Sequence, residues 1–497
     1  MNADKRSESG EEDLMNGINK SVSRRDFLKM AGIAGAAVGL GAGLGGVVAA
    51  CGGSTTTTTA ATTATTATTA GTATTVAGGA ATTVAVSAES GREIKIGFVT
   101  PQTGALASFG IPDKYCLDRA AEAVKDGVIG GDGKKHAVTI ELQDSQSDSN
   151  RAAQVTGDLI NNSKVDIVTA ASTPDTVSPV ADQCEAAGTP CITNDCPWQP
   201  YMVGRGAKLT DVFKWTYHTF WGVEDAMANY TDMWKQVPTN NAVGVMWPND
   251  ADGNGWQPEW ALVWDQLGLK PTIPSMFQDG TEDFTAQITQ FKKAGCELGV
   301  GIFIPPDFAN FWKQCKQQGW KPKMASYAKP ILFPDAVAAI GDIATNLTTE
   351  VWWHPTYPFT SALLNETCQQ FADEFTKRNN QQWTPPLLHF IVFEMAIDTI
   401  KRSTSMDDKE AIMTAIKTTK LQTIGGLIDF TEPVVGATRP YKVGPCHIIE
   451  NVYKTPQTGG QWRKGTKYPF ELTIVSNAGC PNSNIPTQDK VQPLSTS

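Results

Sequence analysis

The sequence predicts an α/β protein with two parallel sheets, because strand-like and helix-like segments alternate along the chain and the alternation starts twice. The first series of apolar, strand-like runs covers residues 94–99, 138–142, 165–169 and 190–193. The second series contains residues 242–246 and 298–304. Parallel strands need a crossover helix between them, so each series predicts one doubly wound lobe.

The segments between these strands have the spacing of amphipathic helices. They cover residues 115–124, 151–160 and 177–187 in the first series, and residues 256–267, 284–293 and 307–318 in the second. A helical block follows at 361–378, 387–404 and 409–418, with some late strands after it. The last residues, 476–497, are rich in Pro, Ser, Thr and Asn and predict a loose tail.

Length and composition exclude several classes of protein. The chain has 497 residues, and its 41 Lys and Arg against 51 Asp and Glu leave a net charge of -10. Such an acidic chain does not offset phosphate repulsion, so we expect no nucleic-acid partner. A hydrophobic content of 41% with 19% charged residues is that of a globular protein rather than a disordered one.

The N-terminus predicts export and lipid attachment. Two arginines, Arg24 and Arg25, precede a Gly/Ala-rich apolar stretch that ends in Val-Ala-Ala-Cys at residues 48–51. This pattern resembles a twin-arginine (Tat) signal followed by the lipobox of bacterial lipoproteins, with Cys51 as the lipidated residue. We predict a signal peptide over 1–50 and a Thr/Ala-rich tether over 51–91. The many glycines make a plain transmembrane helix the weaker alternative.

Nine further cysteines follow Cys51, since the chain has ten in all. An oxidising compartment permits disulfides, and an odd number leaves at least one thiol unpaired. Cys184, Cys191 and Cys196 lie close in sequence, so one pair among them is expected. A metal site there is the alternative, although the spacing fits no Cys-x-x-Cys pair.

The inventory of chemical motifs favours a binding protein over an enzyme. The chain has no Gly-x-Ser-x-Gly, His-Glu-x-x-His or Walker A motif, and only five His. A Gly-x-Gly-x-x-Gly match at 41–46 follows no strand. Residues 250–255 imitate a calcium loop, but Ala261 stands where the bidentate Glu belongs. We therefore expect no catalytic residues, no cofactor and no metal.

Six segments in order are similar to extracytoplasmic solute-binding proteins of the Leu/Ile/Val type. They are IKIGFVTPQTGA (94–105), DSQSD (144–148), AST (171–173), PNDADGNG (248–255), TEDF (281–284) and GGLIDF (425–430). The resemblance covers about residues 92–475. It implies a type I periplasmic-binding-protein fold, with two Rossmann-like lobes joined by three hinge crossings.

The resemblance also implies boundaries, location and partners. It places the crossings near 213–217, 351–354 and 427–430. Lobe 1 is then 92–215 plus 355–428, and lobe 2 is 216–354 plus 429–475. We expect an extracytoplasmic monomer, anchored to a bacterial membrane by lipid on Cys51, that binds a small molecule in the cleft and passes it to an ABC permease. A ligand sensor for a signalling partner and an exported hydrolase are the alternatives.

Ligands of parallel α/β sheets bind beyond the carboxyl ends of the strands, and the candidates Ser108, Ser172 and Thr173 follow predicted strands there. The resemblance implies further ligand-binding positions at Asp195, Trp198, Asp252, Ile304 and Tyr327. The hydroxyls of Ser172 and Thr173 suit a carboxylate, although N-capping of the next helix explains them equally well. Several aromatic residues fall near the cleft or hinge loops and suit an apolar ligand, or the core: Trp198, Trp221, Trp247, Tyr327, Trp352 and Trp353.

Three departures from the family concern the ligand's ammonium. Asp252 replaces a family Tyr, Ile304 replaces an aromatic residue, and residues 326–329 (SYAK) replace a segment with a carboxylate. A buried ammonium needs an anionic partner, so either Asp252 supplies it or the ligand lacks an α-amino group. We expect a small hydrophobic or aromatic carboxylate, with a branched-chain amino acid as the alternative.

Overall fold

The computed structural model describes residues 88–437 and 442–494. The predicted signal peptide, Cys51 and most of the predicted tether lie outside these residues. None of the helices in the described part of the chain is long and apolar enough to cross a membrane.

Residues 94–235 alternate strands and helices as predicted. The strands are β1 (Ile94–Thr100), β2 (Val128–Ile129), β3 (Lys135–His136), β4 (Val138–Asp144), β5 (Ile167–Ala171), β6 (Cys191–Asn194) and β7 (Thr216–Thr219). The helices are α1 (Asp113–Val124), α2 (Ser149–Asp158), α3 (Pro174–Ala187), α4 (Trp198–Gly204) and α5 (Val223–Lys235). Helix α3 has Pro174 in its first turn, where no N–H is needed, and ends at Gly188 in the left-handed region.

Residues 242–351 repeat the pattern. The strands are β8 (Ala242–Met246), β9 (Lys270–Thr272), β10 (Leu298–Ile302), β11 (Met324–Ala328) and β12 (Thr348–Val351). The helices are α6 (Ala251–Ala261), α7 (Thr285–Lys293), α8 (Pro305–Gln318) and α9 (Pro334–Ile340). Helix α8 also starts with proline and ends at Gly319 in the left-handed region.

The remaining elements return to both lobes. The strands are β13 (Thr360–Ser361), β14 (Glu366–Thr367), β15 (Lys420–Thr423), β16 (Gly426–Asp429), β17 (His447–Ile449), β18 (Val452–Tyr453), β19 (Thr458–Lys464) and β20 (Phe470–Ser476). The helices are α10 (Cys368–Asn379), α11 (Phe390–Arg402) and α12 (Lys409–Lys417). Helix α11 is buried along most of its length and packs against β5, β6 and α1.

Two seven-stranded sheets of matching order confirm the predicted α/β architecture. The first has the order β17-β18-β7-β6-β5-β1-β4 and the second β20-β19-β12-β11-β10-β8-β9. The central pairs of both sheets are parallel, and an antiparallel pair closes one edge of each. The strands β1 and β5 are wholly or almost wholly buried, which explains their continuous apolar character.

The lobe boundaries differ from the expected ones. Strand β7 belongs to the first sheet, so the first crossing is residues 220–222 and not 213–217. Strands β17 and β18 also belong to the first sheet, so the chain crosses for the third time at 454–457. Residues 427–430 instead lie in and just after the β15–β16 hairpin. Short strands such as β18 have too few residues to show an alternation of apolar and polar side chains. The sheet to which such a strand belongs is decided by the strands with which its backbone pairs.

The C-terminal tail is packed against the second lobe, which corrects the expectation of a loose tail. The Gln488 N–H donates to the carbonyl of Ile474 at 2.8 Å, and the Leu494 N–H donates to that of Lys323 at 2.8 Å. The side chain of Gln461 donates to the carbonyl of Gln492 at 2.7 Å. These hydrogen bonds fix the segment in place, although its polar composition shows neither the helix period nor the strand period of apolar residues.

All nine cysteines of the described chain are buried free thiols. The expected pair among Cys184, Cys191 and Cys196 is therefore not present. Burial raises the pKa of both Cys184 and Cys196 well above the usual range. In this state the three residues act as small apolar side chains in the core of the first lobe.

Candidate functional site

A cavity that is partly open to solvent lies where the carboxyl ends of the two sheets face each other. Its empty space is about 320 Å³ with the open part included, and a water-sized sphere has access to about 30 Å³. Its apolar walls are mainly aromatic and come from both lobes and from the crossings: Phe109, Phe220, Trp221, Trp256, Leu332 and Trp352. Its polar lining consists of Thr173, Asp195, Asp252, Lys329 and Glu350. Apolar walls with few polar groups are the usual form of a small-molecule site.

Asp195 brings a carboxylate to the cavity from the first lobe. It is the first residue after β6 and has a φ of 70°, a left-handed conformation uncommon for a residue with a side chain. One carboxylate oxygen, Oδ2, is hydrogen-bonded to Nε2 of His389. The other, Oδ1, is buried and has no hydrogen-bond partner in the described chain. Asp195 therefore has one free acceptor at the cavity.

Lys329 brings an ammonium from the second lobe. It is the first residue after β11, with a φ of 78°. Its Nζ donates to Asp252 Oδ2 at 2.7 Å and lies 3.8 Å from Asp250 Oδ2. Burial lowers the pKa of Lys329, but Asp252, Asp250 and the more distant Asp175 outweigh burial and raise it. Burial raises the pKa of Asp252 to about 7 against the opposing charge of Lys329.

Hydroxyl and indole donors complete the polar surface. Thr173 is the residue before α3. Its Oγ1 and the Oγ of the neighbouring Ser172 are both buried without a partner in the described chain. The indole N–H groups of Trp221 and Trp352 also have no protein partner there. Buried donors are nearly always satisfied in folded proteins, and three of these, on Thr173, Trp221 and Trp352, line the cavity, where a polar group of a ligand could accept from them.

The lobes are closed over the cavity. Helix α4 of the first lobe packs against α6 of the second. At Gly255 an added Cβ would lie 2.8 Å from Pro200, so only glycine permits this approach. Helix α3 of the first lobe also contacts α6, a second contact between the lobes.

Buried charges join two of the crossings. Lys454 Nζ donates to Glu224 Oε1 at 2.6 Å and to both oxygens of Asp225 at 2.9 Å. Glu224 also accepts from the Nε1 of Trp198 at 3.3 Å and from the side chain of Gln199. Burial raises the pKa of Asp225 to about 7, and Lys454 opposes this rise. The cluster ties the first turn of α4 and the first turn of α5, which directly follows the first crossing, to Lys454 at the third crossing.

The structure brings three of the predicted site residues together at the cavity, namely Thr173, Asp195 and Asp252. Ser172 is buried beside Thr173, and the partly exposed Ser108 precedes the cavity-lining Phe109. None of the other three, Trp198, Ile304 and Tyr327, is in the cavity lining.

Each of these three has a packing role instead. Trp198 hydrogen-bonds Glu224 near the crossings, and Ile304 precedes α8 within the core. Tyr327 points into an aromatic cluster with Phe303 and Phe308, because successive residues of a strand face opposite sides of the sheet. Its neighbours Ala328 and Lys329 are the residues of this segment that reach the cavity.

Sequence reasoning missed Lys329, Trp256, His389 and Asp113. Lys329 stands in the segment where the family has a carboxylate. The sequence therefore showed a difference from the family at this segment, but not that the cation itself would reach the cavity. His389 and Asp113 lie far from Asp195 in sequence, and nothing local marks them. The expected absence of a metal is not tested by an unliganded structure, although the described residues contain no cluster of His, Cys, Asp or Glu suited to hold one.

Residues 250–255, which imitate a calcium loop, instead begin a helix. Asp250 is the N-cap of α6, and its carboxylate accepts from the Gly253 N–H at 2.8 Å. A carboxylate at the N-terminus of a helix satisfies free N–H groups and the helix dipole, so the resemblance to an ion loop has a structural explanation.

Two α/β lobes that meet around a cavity define a protein of the two-lobed binding class. Residues 93–446 match the family of periplasmic binding proteins, and the chain belongs to that family. Residues 21–41 match a signal sequence of the twin-arginine translocation pathway, which confirms the predicted export signal. The fold and the resemblance expected from the sequence are thereby confirmed.

Two curated relatives match parts of the chain. An amino acid binding protein of Pseudomonas aeruginosa is 23% identical over 244 residues, which cover 49% of this chain and 62% of that protein. A Leu/Ile/Val-binding protein homolog of Brucella melitensis is 24% identical over 217 residues, which cover 44% of this chain and 56% of that protein. The chain thus matches less than two thirds of the length of either relative.

Solved structures share the fold at low identity. A leucine-binding protein from Thermotoga maritima has a TM-score of 0.63 at 18% identity, over 77% of this chain and 99% of that one. A binding protein from Streptococcus pneumoniae, in complex with isoleucine, has a TM-score of 0.61 at 17% identity, over 77% and 99%. One from Rhodopseudomonas palustris, in complex with 4-hydroxybenzoate, has a TM-score of 0.61 at 15% identity, over 77% and 96%.

Proposed function

We propose that this protein is an extracytoplasmic receptor for a small carboxylate with a hydrophobic or aromatic body, amino acids included. The observation that carries the proposal is the cavity between the lobes, with aromatic walls and a few unpartnered polar atoms at its edge. Aromatic rings supply apolar contact area to the ligand body, and the polar atoms fix its orientation. The receptor binds its ligand without chemical change.

The carboxylate end of the ligand has two donors available. Thr173 presents a free hydroxyl from the first lobe, and Lys329 presents an ammonium from the second. A ligand held by both residues bridges the lobes and stabilises their closed arrangement, as hinge closure requires.

The other end of the ligand faces an acceptor rather than a donor. Asp252, expected from the sequence as the partner of an ammonium, is already paired with Lys329. The free acceptor is Asp195 Oδ1. A ligand with an ammonium or a hydroxyl at this end satisfies Asp195, whereas an unsubstituted acid leaves it unpaired at a cost of about 1–3 kcal/mol.

The relatives support both chemical types. The two curated relatives are named for amino acids, and the structural neighbours include one with isoleucine and one with 4-hydroxybenzoate. We therefore propose that the ligand is a donor-bearing carboxylate, of which a branched-chain or aromatic amino acid and a hydroxylated aromatic acid are the two forms.

Titration calorimetry with the purified protein tests this proposal. The panel pairs leucine with 4-methylpentanoate, phenylalanine with 3-phenylpropanoate and 4-hydroxybenzoate with benzoate. We expect at least one donor-bearing compound to bind and Lys329→Met to weaken it. Lys323→Met, at the exposed surface just before β11, is the matched control and leaves binding unchanged. No binding by any compound, or turnover of a bound compound, would refute the proposal.

Lipid attachment and delivery to an ABC permease complete the proposal. The sequence Val-Ala-Ala-Cys at 48–51 and the Thr/Ala-rich stretch after it suit an anchored receptor held near a membrane transporter. In a host with twin-arginine export, the wild-type protein is expected in the membrane fraction and Cys51→Ala in the soluble exported fraction. Equal partition of the two proteins would refute the anchor. Loss of ligand uptake on deletion of the co-expressed permease tests delivery.

A further inference from the structure

A buried hydrogen-bonded series of side chains ends at the free oxygen of Asp195. Thr100 donates its hydroxyl to Asp113 Oδ2, and the other oxygen of Asp113 lies 2.6 Å from His389 Nδ1. The opposite ring nitrogen, His389 Nε2, is bonded to Asp195 Oδ2. The exposed fractions of Asp113, His389 and Asp195 are 0%, 0% and 2%. The series therefore runs through the core of the first lobe and reaches the cavity only at Asp195.

The geometry determines the charge of the His389 ring. A carboxylate oxygen is an acceptor, so a ring with one carboxylate at each nitrogen donates from both and is an imidazolium. Burial lowers the pKa of His389, but the charges of Asp113 and Asp195 outweigh burial and raise it to about 10.

Asp195 depends on this ring because its surroundings otherwise disfavour an ion. Burial raises the pKa of the Asp195 carboxyl to about 8, and the charge of His389 is the main opposing influence. Asp113 and Asp252 act in the same direction as burial. Without the ring, the pKa of Asp195 would rise further and its side chain would lose the hydrogen bond that fixes it.

We infer that His389 is a positioning residue for ligand selection: braced by Asp113, it holds the Asp195 side chain so that Oδ1 faces the cavity and accepts from the ligand. The site then favours a ligand with an ammonium or hydroxyl over the same acid without it. This inference rests on the proposed function, since it assigns the control of selectivity at the same cavity.

The first test compares selectivity between variants. For the compound pair that the wild-type protein binds, the ratio of the two dissociation constants measures the preference for the donor. We expect His389→Gln to reduce that ratio by about 10- to 100-fold, mostly through the donor-bearing compound. Asp113→Asn, which retains the shape of the side chain, is expected to shift it in the same direction. His447→Gln is the matched control, because His447 is a buried histidine whose ring nitrogens are bonded to the backbone carbonyls of Glu432 and Glu450, away from the cavity.

A structural role alone would weaken both members of the pair equally, and an unchanged ratio in folded His389→Gln and Asp113→Asn would overturn the inference.

The second test does not need a ligand. In the ¹⁵N-labelled protein at pH 7.5, we expect the His389 ring, identified by its loss in His389→Gln, to show two protonated nitrogens. A neutral ring would overturn the inference. Failure of every compound to bind would refute the proposed function, while the ring spectrum would still decide the charge.

Discussion

The two lobes share one architecture but fill it with different side chains. The sheets have matching strand order, and helices α3 and α8 occupy equivalent positions with proline first and a left-handed glycine after the last turn. Against the first sheet, α3 packs Val177, Val180 and Cys184. Against the second, α8 packs Phe308, Phe311 and Cys315. One topology therefore accommodates an aliphatic and an aromatic core.

The difference is sharper at the cleft. Asp195 and Lys329 both follow the fourth strand from the β4 or β9 edge of their sheet, and both have positive φ. Asp195 is bonded to His389, which is bonded in turn to Asp113, and all three belong to the first lobe. Lys329 is bonded to Asp252 of its own lobe. Each site residue therefore takes its hydrogen bonds from its own lobe, and the other lobe adds the charge of one carboxylate, Asp252 for Asp195 and Asp175 for Lys329.

The largest effect is expected where the lobes are joined. Lys454→Met leaves Glu224 and Asp225 buried without their cation, so we expect a loss of about 3–5 kcal/mol in the free energy of unfolding. Guanidinium denaturation measures it. Lys464→Met removes an exposed pair with Asp342 and is expected to cause no measurable change. If both variants behaved alike, the crossings would not hold the lobes through buried charge.

The aromatic and aliphatic cores are compared directly by equivalent substitutions. Phe311 and Val180 are each the seventh residue of their helices. We expect Phe311→Ala to cost about 3–5 kcal/mol and Val180→Ala about 2 kcal/mol, because the larger side chain leaves the larger cavity. Thermal and chemical unfolding measure both. A larger cost for Val180→Ala would show that stability is concentrated in the first lobe.

Each lobe also buries a neutral histidine. Burial lowers the pKa of His218, in β7, to about 3 and that of His354, bonded to the Leu472 carbonyl in β20, to about 4. Both folded-state pKa values lie below the unfolded value of about 6.5. The stability that each neutral histidine contributes is therefore fully present above pH 6.5, and it is lost as the pH falls toward the folded-state pKa.

Unfolding free energies measured from pH 7 to pH 4 test both histidines. For His354, the wild-type protein should lose about 2–3 kcal/mol more than His354→Gln over this range. His218→Gln is expected to give the same direction for the first lobe. Parallel curves for wild type and variant would show that the histidine is protonated in the folded state.

The smallest effect concerns contact between the lobes. Gly255→Ala places a Cβ against Pro200, and we expect ligand affinity to fall about tenfold, since the closed form becomes less populated. Small-angle scattering should show a larger radius of gyration with ligand present. Gly157→Ala, in α2 with open space around its Cβ, is the control and leaves affinity unchanged. Equal affinities would mean that the closed contact between α4 and α6 is not needed for binding.

Local signals in the sequence determined much of this protein. The twin arginines, the strand-and-helix alternation and the hydroxyls before α3 are each carried by neighbouring residues, so they were readable without the fold. Thr173 was found because the residues after parallel strands meet at one edge of a sheet, and Asp195 and Asp252 were found through the resemblance to the family. The choice of family followed from short segments in order, and each of them lies at such an edge or turn.

Tertiary structure alone decided how these residues are used. His389 reaches Asp195 across 194 residues and Lys329 reaches Asp252 across 77, and no periodic pattern encodes either contact. The sheet to which β18 belongs was equally undecided, since two residues carry no pattern. The charge and availability of a buried side chain depend on which partners the fold brings within hydrogen-bond distance. The sequence therefore predicted where the site lies, and the packed structure decided that Asp252 is neutralised and Asp195 is free to accept.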